Sequence, residues 1–349
     1  MVKEKILIYG AYGYTGRLIV EEAIFRGLPI IVAGRNKEKI VELSKEKNVD
    51  YRIFSLNNKD EIANNLESVK VVIHSAGPFI HTAKPMIEAC LISGTHYIDI
   101  TGEIDVFEWI ATCDSLAKTK GIMLLPGAGF DVVPTDCLAL HLKELLPDAT
   151  HLTLAFYSNG KPSHGTMITA LESLGKGGKI RVGGEIQTVP PAYKKMKIDF
   201  GEGPKLAVTI PWGDVSTAYY STGIPNIEVF MAITPGMNFM LKGIKFAQKI
   251  IGQESVQNFI KNRIPDGGPM PEERKNNYAI IWGKVQNLEG EEKQAVMRTP
   301  DGYDLTAKLS VLIAQKVLKD KFRTGFQTPA KAYGSNLILE IPGIEIVDL

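Results

Sequence analysis

The sequence predicts an α/β protein: a doubly wound parallel sheet over roughly the first 134 residues, followed by an α+β domain built on a mostly antiparallel sheet. Three observations carry this expectation. Residues 5–125 alternate short β-branched runs with longer amphipathic patterns, the rhythm of βαβ units. A glycine motif, Gly10-Ala-Tyr-Gly13-Tyr-Thr-Gly16, stands between the first run and the first helical pattern. From Pro134 onward the rhythm changes to period-2 runs separated by Gly and Pro.

Each element follows from its local pattern. Residues 5–9 read as strand one and 15–26 as a helix with Leu18, Ile19, Ala23 and Ile24 apolar. Strand two is 29–33, Asn36 caps a helix to about Lys47, strand three is 51–55, and 57–66 is a charged helix. Residues 69–74 are strand four, with the Val-Val-Ile run of a strand buried on both faces. Residues 84–93 are helical, 96–100 is strand five, 106–119 is a helix, and 122–125 is strand six. A helix over 135–145 opens the second domain, with strands at 151–157, 179–188, 205–211, 227–233 and 278–286. Residues 304–318 form an amphipathic helix, and 336–347 a last strand or packed tail. The change of pattern at about Pro134 thus separates a first domain, 1–134, from a second of α+β type.

Composition removes several classes of function. With 349 residues and 44% apolar content, the chain is long enough for about two domains that need no disulfide or metal staple. Forty Lys and Arg against 39 Asp and Glu give a net charge of +1, whereas a chain that coats nucleic acid needs a cationic surplus. No nucleic-acid partner is expected. Cys90, Cys113 and Cys137 are odd in number and show no CxxC or Cys/His spacing, which predicts reduced thiols in a cytoplasmic protein and no metal site. The first residues lack the apolar stretch and cleavage site of a secretory leader, and no run approaches the ~18 apolar residues of a spanning helix.

The glycine motif is the strongest chemical signal. Glycine there lets the backbone turn sharply and approach a pyrophosphate, while the helix start offers unpaired N–H groups and partial positive charge. Strand, glycine loop and helix together predict a Rossmann-type dinucleotide site formed by Gly10, Tyr12, Gly13, Tyr14, Thr15 and Gly16. The end of strand two selects the dinucleotide. A carboxylate there would bind the ribose 2′-hydroxyl of NAD, but the residues are Gly34-Arg35-Asn36, so NADP is predicted over NAD, with Arg35 meeting the 2′-phosphate and Asn36 and Lys39 as helpers. The alternative is a solvated cation at a helix start.

Ligands of open α/β sheets sit outside the carboxyl ends of the strands. The loops there read Ser75-Ala76-Gly77-Pro78-Phe79, Thr101-Gly102-Glu103 and Pro126-Gly-Ala-Gly129-Phe130-Asp131, each pairing small residues with a polar group. Ser75 to Phe79, Thr101 and Gly102 join the cofactor-binding set. Plain turn chemistry is the competing explanation for Gly77, Pro78 and Thr101.

Together, Gly10–Gly16, Ala33-Gly-Arg35, Ala76-Gly-Pro-Phe79, Tyr97-Ile-Asp-Ile-Thr-Gly-Glu103 and Gly129-Phe-Asp131 with Pro134 resemble the saccharopine dehydrogenase-like oxidoreductases. Ile210-Pro-Trp-Gly-Asp214, Ser221-Thr-Gly-Ile-Pro225 and Gly325-Phe-Gln-Thr-Pro329 resemble the branch that contains the trans-acting enoyl reductases. The resemblance implies an NADP-binding Rossmann domain, 1–134 completed by about 304–349, an inserted domain, 135–303, for substrate binding and dimerisation, and reduction of a C=C or C=N bond by hydride from NADPH. A saccharopine-type site needs clustered arginines for carboxylates, but Arg181, Arg263, Arg274 and Arg298 are scattered through the second domain. A less polar, lipid-like small-molecule acceptor is favoured.

Hydride reduction also needs a proton donor. The candidates are Asp131, His164, Tyr219 and Tyr220, with His164 preferred for its ordinary proton affinity near neutrality. Asp131 has a plain alternative as the cap of the next helix, and His164 as a solvated histidine at a helix start. No Tyr-x-x-x-Lys pair stands in a plausible place, which demotes the short-chain dehydrogenases: Tyr193-Lys194-Lys195 has the wrong spacing. Over 237–251 Lys242, Lys245 and Lys249 make a narrow cationic stripe on an otherwise apolar helical surface. That pattern suits a peripheral membrane contact, the cover of an apolar tunnel, or the contact of a homodimer. Two functions stay open: an NADPH-dependent reductase, and a non-catalytic NADP-sensing protein that binds a partner.

Overall fold

The computed structural model describes residues 3–168, 177–237, 256, 263–264 and 267–349. The chain divides into two compact units, Met1–Val133 with Gly302–Gly334, and Pro134–Asp301 with Ser335–Leu349.

The first unit is a seven-stranded parallel sheet. Its elements are β1 (Lys5–Tyr9), α1 (Tyr14–Phe25), β2 (Ile30–Gly34), α2 (Lys37–Lys47), β3 (Asp50–Ile53), α3 (Lys59–Leu66) and β4 (Val69–His74). They continue with α4 (Phe79–Ser93), β5 (His96–Asp99), α5 (Ile104–Thr112), α6 (Asp114–Thr119) and β6 (Met123–Leu125). The returning segment adds α10 (Gly302–Leu318), β15 (Gly325–Phe326) and α11 (Pro329–Tyr333). The strand order is β15-β6-β5-β4-β1-β2-β3, so the chain reverses direction across the sheet between β1 and β4. That reversal is the switch point at which doubly wound sheets bind ligands. Ile6, Leu7 and Ile8 of β1 and Val71, Val72 and Ile73 of β4 have no exposed surface, which explains their unbroken β-branched and aliphatic runs. Each such side chain contributes about 1.5–3 kcal/mol by leaving water.

Three local features differ from expectation. Helix α4 starts five residues early, because the Glu103 carboxylate caps the N–H groups of Phe79 and Ile80, and Pro85 is accommodated inside it. The single helix expected over 106–119 is two, broken at Cys113, with Asp114 turned to accept the Phe326 N–H at 2.9 Å. A seventh strand, β15, pairs in parallel with β6.

The second unit holds α7 (Val133–Leu145), β7 (His151–Ser158), β8 (Gly178–Val182), β9 (Glu185–Val189), β10 (Lys195–Asp199), β11 (Pro204–Thr209) and α8 (Asp214–Thr222). It continues with β12 (Asn226–Ala232), α9 (Pro271–Asn276), β13 (Tyr278–Gln286), β14 (Glu292–Pro300), a 3-10 turn (Ser335–Glu340) and β16 (Ile346–Asp348). Its nine-stranded sheet runs β10-β11-β12-β7-β13-β14-β16, with the β8–β9 hairpin attached to β12, and only the β12–β7 pair is parallel. Leu138 and Leu142 of α7 cover one face at Gly283, where a Cβ would come within 2.6 Å of Leu142. Phe200, Phe230, Ile280 and Trp282 make a core cluster of the same unit.

The run expected as one strand over 179–188 is this hairpin, because Gly183 and Gly184 take left-handed backbone (φ 59° and 87°) and turn the chain. Residues 335–349 join this unit and not the first: β16 pairs antiparallel with β14, and the Ser335 hydroxyl donates to Glu144. The expected 237–251 helix lies outside the described residues except for Met237. Among the described residues no helix is long and apolar enough to cross a membrane.

Candidate functional site: a nucleotide cleft at the switch point

The glycine loop is shaped by what lies against it. Gly10 takes φ 83°, its N–H donates to the Ala33 carbonyl at 2.9 Å, and a Cβ there would fall 2.9 Å from Ala76. Gly13 N–H donates back to the Gly10 carbonyl at 2.9 Å, closing the turn. A Cβ on Gly16 would overlap that same carbonyl oxygen, so only glycine fits. Helix α1 starts with no side-chain cap and no acid in its first turn. Its leading N–H groups and positive dipole end are thus offered to an anion, as dinucleotide pyrophosphates require.

The end of β2 is equally close-fitting. A Cβ on Gly34 would lie 2.7 Å from the Tyr12 ring, and the Lys39 ammonium stands 5.6 Å from that ring's centroid. The Asn36 side chain is occupied as the cap of α2, accepting the Lys39 N–H at 2.9 Å. Arg35 is exposed and has no hydrogen-bond or ion-pair partner among the described residues. Arg35 and Lys39 therefore flank this strand end, neither in an ion pair among the described residues, which fits a 2′-phosphate.

Beyond the switch point, buried polar groups tie the strand-end loops together. Ser75 donates its hydroxyl to the Tyr9 carbonyl at 2.9 Å, and Thr82 donates to Ala76 and Pro78 at 2.7 and 3.1 Å. The Glu103 carboxylate accepts the Phe79 and Ile80 N–H groups at 2.8 Å each. Thr101 is fully buried and its hydroxyl accepts the Glu103 N–H at 3.0 Å, so it is a turn residue whose side chain is closed off from a cofactor. Asp99 accepts the Tyr97 hydroxyl at 2.7 Å and the N–H groups of Thr101 and Gly127 at 3.0 and 2.9 Å. Burial outweighs these hydrogen bonds and pushes its carboxyl up to about 7. His74 is fully enclosed by Tyr9, Phe79 and Tyr97, and burial drives its imidazole down to about 3, so it stays neutral at any physiological pH.

Asp131, unlike the fully buried His74, Asp99 and Thr101, is partly accessible. A Cβ on Gly102 would lie 2.9 Å from its Oδ2, so the carboxyl rests on the one residue of that loop that leaves room for it. Burial pushes the Asp131 carboxyl up to about 7, within the range where a side chain can both hold and release a proton. Of the predicted acids, it alone is a side chain of the cofactor-binding unit.

The other predicted donors belong to the second unit, on separate elements. His164 places Nδ1 3.2 Å from the Ile264 carbonyl, to which it donates, and its backbone N–H reaches Gly267 at 2.8 Å. Tyr219 lies under the Arg181 guanidinium at 4.3 Å and meets Tyr220 edge-on at 5.7 Å. Arg181 is itself buried, donating to the carbonyls of Val215 and Gly184 at 2.8 and 2.6 Å. Trp212 stacks on Phe156 at 4.7 Å, and Ser221 donates to buried Asp136 at 2.5 Å, which gives the Trp and Ser motifs of this unit packing roles. A groove of about 310 Å³ between the Phe200–Glu202 turn and the Gly343–Val347 tail contains none of the predicted site residues.

Three residues escaped sequence reasoning. Glu103 was visible in its loop, but a cap supplied from 24 residues away leaves no local pattern. Tyr303 meets Tyr14 of the glycine loop, and Thr306 holds Phe130, through contacts that no spacing announces.

Comparison with known proteins agrees with this cleft. A family model for the saccharopine dehydrogenase NADP-binding domain matches residues 6–125. A mouse protein named saccharopine dehydrogenase-like oxidoreductase is 28% identical over 202 residues, 50% of this chain and 47% of its own length. A Mycobacterium tuberculosis protein provisionally named a trans-acting enoyl reductase is 27% identical over 145 residues, 38% of this chain and 33% of its own. The chain spans about half the length of the first of these relatives. The structure of apo saccharopine dehydrogenase (L-Glu forming) from Saccharomyces cerevisiae superposes with a TM-score of 0.68, covering 99% of this chain and 100% of that one, at 12% identity. That likeness shows a shared fold. Residues 6–125 of this chain thus match the saccharopine dehydrogenase NADP-binding domain, and the chain is similar in sequence to a saccharopine dehydrogenase-like oxidoreductase and to a protein named as a trans-acting enoyl reductase.

Proposed function

We propose that the chain is an NADPH-dependent oxidoreductase that reduces a C=C or C=N bond of a small apolar acceptor, with Asp131 as proton donor. The observation that carries this reading is a partly accessible carboxyl, Asp131, seated against Gly102 at the carboxyl edge of a sheet whose glycine loop fits a pyrophosphate; burial raises its proton affinity. Bound NADPH supplies the hydride. The chain's own residues hold the pyrophosphate at α1, meet the 2′-phosphate with Arg35 and Lys39, and keep Gly77, Pro78, Phe79 and the Gly129–Asp131 loop beside the nicotinamide end. Asp131 then gives its proton to the atom that the hydride leaves negative.

An apolar acceptor is supported by the loops themselves. Residues 75–80, 100–105 and 126–133 contain no Lys or Arg, whereas Ile80 is 41% exposed and Phe130 is half-buried. Free thiols at Cys90, Cys113 and Cys137 suit a reducing, cytoplasmic setting.

NADPH oxidation followed with a panel of enoyl thioesters, imines and ketones tests the reading. Turnover that is lost in Asp131→Asn while NADPH binding persists supports it. Tight NADPH binding without turnover of any class would favour the sensing protein.

A further inference from the structure

One turn of α10 touches both the glycine loop and the loop that carries Asp131. Tyr303, its second residue, meets Tyr14 edge-on, with ring centroids 5.2 Å apart and planes at 85°. Thr306 stands three residues further on, where a helix presents side chains to the same side. Its Oγ1 accepts the Phe130 N–H at 2.9 Å and donates to the Gly302 carbonyl at 2.7 Å. Its methyl group lies where a Cβ on Gly129 would come within 2.9 Å, and a Cβ on Gly302 would come within 3.2 Å of the Phe130 ring. Phe130 directly precedes Asp131, and Tyr14 is the first residue of α1.

The two loops leave the sheet from β1 and β6, which are separated by β4 and β5 in the strand order. Neither loop reaches the other by chain, but α10 is anchored for the purpose. It packs against α1, β4 and β5, with Leu305, Leu309, Val311 and Ile313 buried beneath it. Its first turn is thus a fixed strut over the nucleotide cleft, made by residues some 290 positions from the glycine loop.

We propose that Tyr303 and Thr306 are positioning residues with separate tasks: Tyr303 braces the start of α1 for the cofactor pyrophosphate, and Thr306 fixes the Phe130–Asp131 backbone so that the carboxyl stays on Gly102. This rests on the NADPH reading above. Neither residue needs to touch a reacting atom. Loss of the Tyr303 ring lets Tyr14 and the leading amides of α1 drift, so nucleotide affinity falls. Loss of the Thr306 hydroxyl leaves the Phe130 N–H without its acceptor and frees the acid loop, so the environment of Asp131 changes while the phosphate loop does not.

Both tasks are read in the full-length chain without knowing the acceptor. The first readout is the Kd for NADPH at pH 6. The second is the pH at which the ratio of NADP+ to NADPH affinity changes, because the oxidised ring carries an extra positive charge that ionised Asp131 favours. Tyr303→Ala is expected to weaken NADPH about three- to tenfold, the range of an aromatic pair, while Tyr303→Phe stays within about threefold of wild type. Combining it with Tyr14→Ala should add little, since both changes remove one contact. Thr306→Val should leave the Kd within about twofold yet move the midpoint of the second readout, and Thr306→Ser should restore it. Separate effects support the proposal. Equal movement of both readouts in Tyr303→Ala and Thr306→Val, or wild-type behaviour of Tyr303→Ala, overturns it. Wild-type protein that binds no NADPH overturns the functional reading and this inference with it.

Discussion

Helices α1 and α4 both begin at the carboxyl edge of the same sheet, after the neighbouring strands β1 and β4, and they treat their leading amides in opposite ways. Helix α1 has no side-chain cap, no acid in its first turn and a loop of glycines packed too tightly for any side chain. Helix α4 has its first N–H groups taken by Glu103 at 2.8 Å. Both ends carry the same dipole, so the dipole alone does not make an anion site. What distinguishes them is whether the protein supplies its own carboxylate, and this is why the proposed phosphate site is α1 and not α4.

That contrast can be broken most severely at Gly16. Gly16→Val puts carbon where the Gly10 carbonyl oxygen lies, so the loop must move. NADPH affinity is expected to fall by about 100-fold or more, since both the amide cradle and the dipole end are displaced. Circular dichroism separates this from unfolding, and a variant that keeps wild-type affinity would contradict the assignment of the phosphate to α1.

Glu103→Ala should do the reverse, harming stability and sparing affinity. Removing a doubly bonded cap is expected to cost about 1–2 kcal/mol, seen as a lower Tm, with the NADPH Kd changed less than about threefold. Glu103→Gln should recover part of the loss. A Glu103→Ala protein with unchanged Tm and much weaker NADPH binding would mean that the two helix ends are not divided in this way.

The carboxyl of Asp131 gives a pH-dependent effect of similar size. It holds its proton to about 7 in the folded chain but only to about 4 in the unfolded one. Between those values the folded protein binds more protons, so this group's contribution makes stability fall as pH rises through the window. Asp131→Asn should therefore match wild type near pH 4 and exceed it at pH 8, by on the order of 1–3 kcal/mol. Urea titrations at both pH values check this, with Asp99 contributing its own fall of the same sign in both proteins. A difference that shrinks toward pH 8 has the wrong sign for this account.

The smallest effect is expected at Lys39, whose ammonium stands over the Tyr12 ring at 5.6 Å. Lys39→Ala should weaken NADPH about two- to fivefold, and less at high salt, because the cation is exposed and screened. NADH affinity should hardly change. Equal losses for both nucleotides would place Lys39 on packing, not on the phosphate.

β1, β2 and β4 were legible because buried parallel strands leave aliphatic runs, half-exposed β3 because it falls in the βαβ rhythm, and the glycine loop because its chemistry is local. The seventh strand was not, since two residues, Gly325 and Phe326, carry no period. Strand β10 was missed because Lys195, Lys197 and Asp199 make it look like a charged loop, which is how an edge strand protects its open side. The proposed acid, Asp131, was legible as one candidate among four, from its place after strand six. Glu103, Tyr303 and Thr306 were not, because each acts on a partner brought near only by the fold. Thr101 looked like a cofactor contact because its loop is at the right edge, and only burial shows its hydroxyl turned inward.

The most direct measurement is calorimetric titration of NADPH and NADH into wild type and Arg35→Ala. Wild type is expected to bind NADPH at least about tenfold more tightly than NADH, as one charge-assisted contact to the 2′-phosphate would provide. In Arg35→Ala most of that preference should vanish through loss of NADPH affinity alone. A wild-type protein that binds neither nucleotide, or a preference that survives the substitution, would contradict the account.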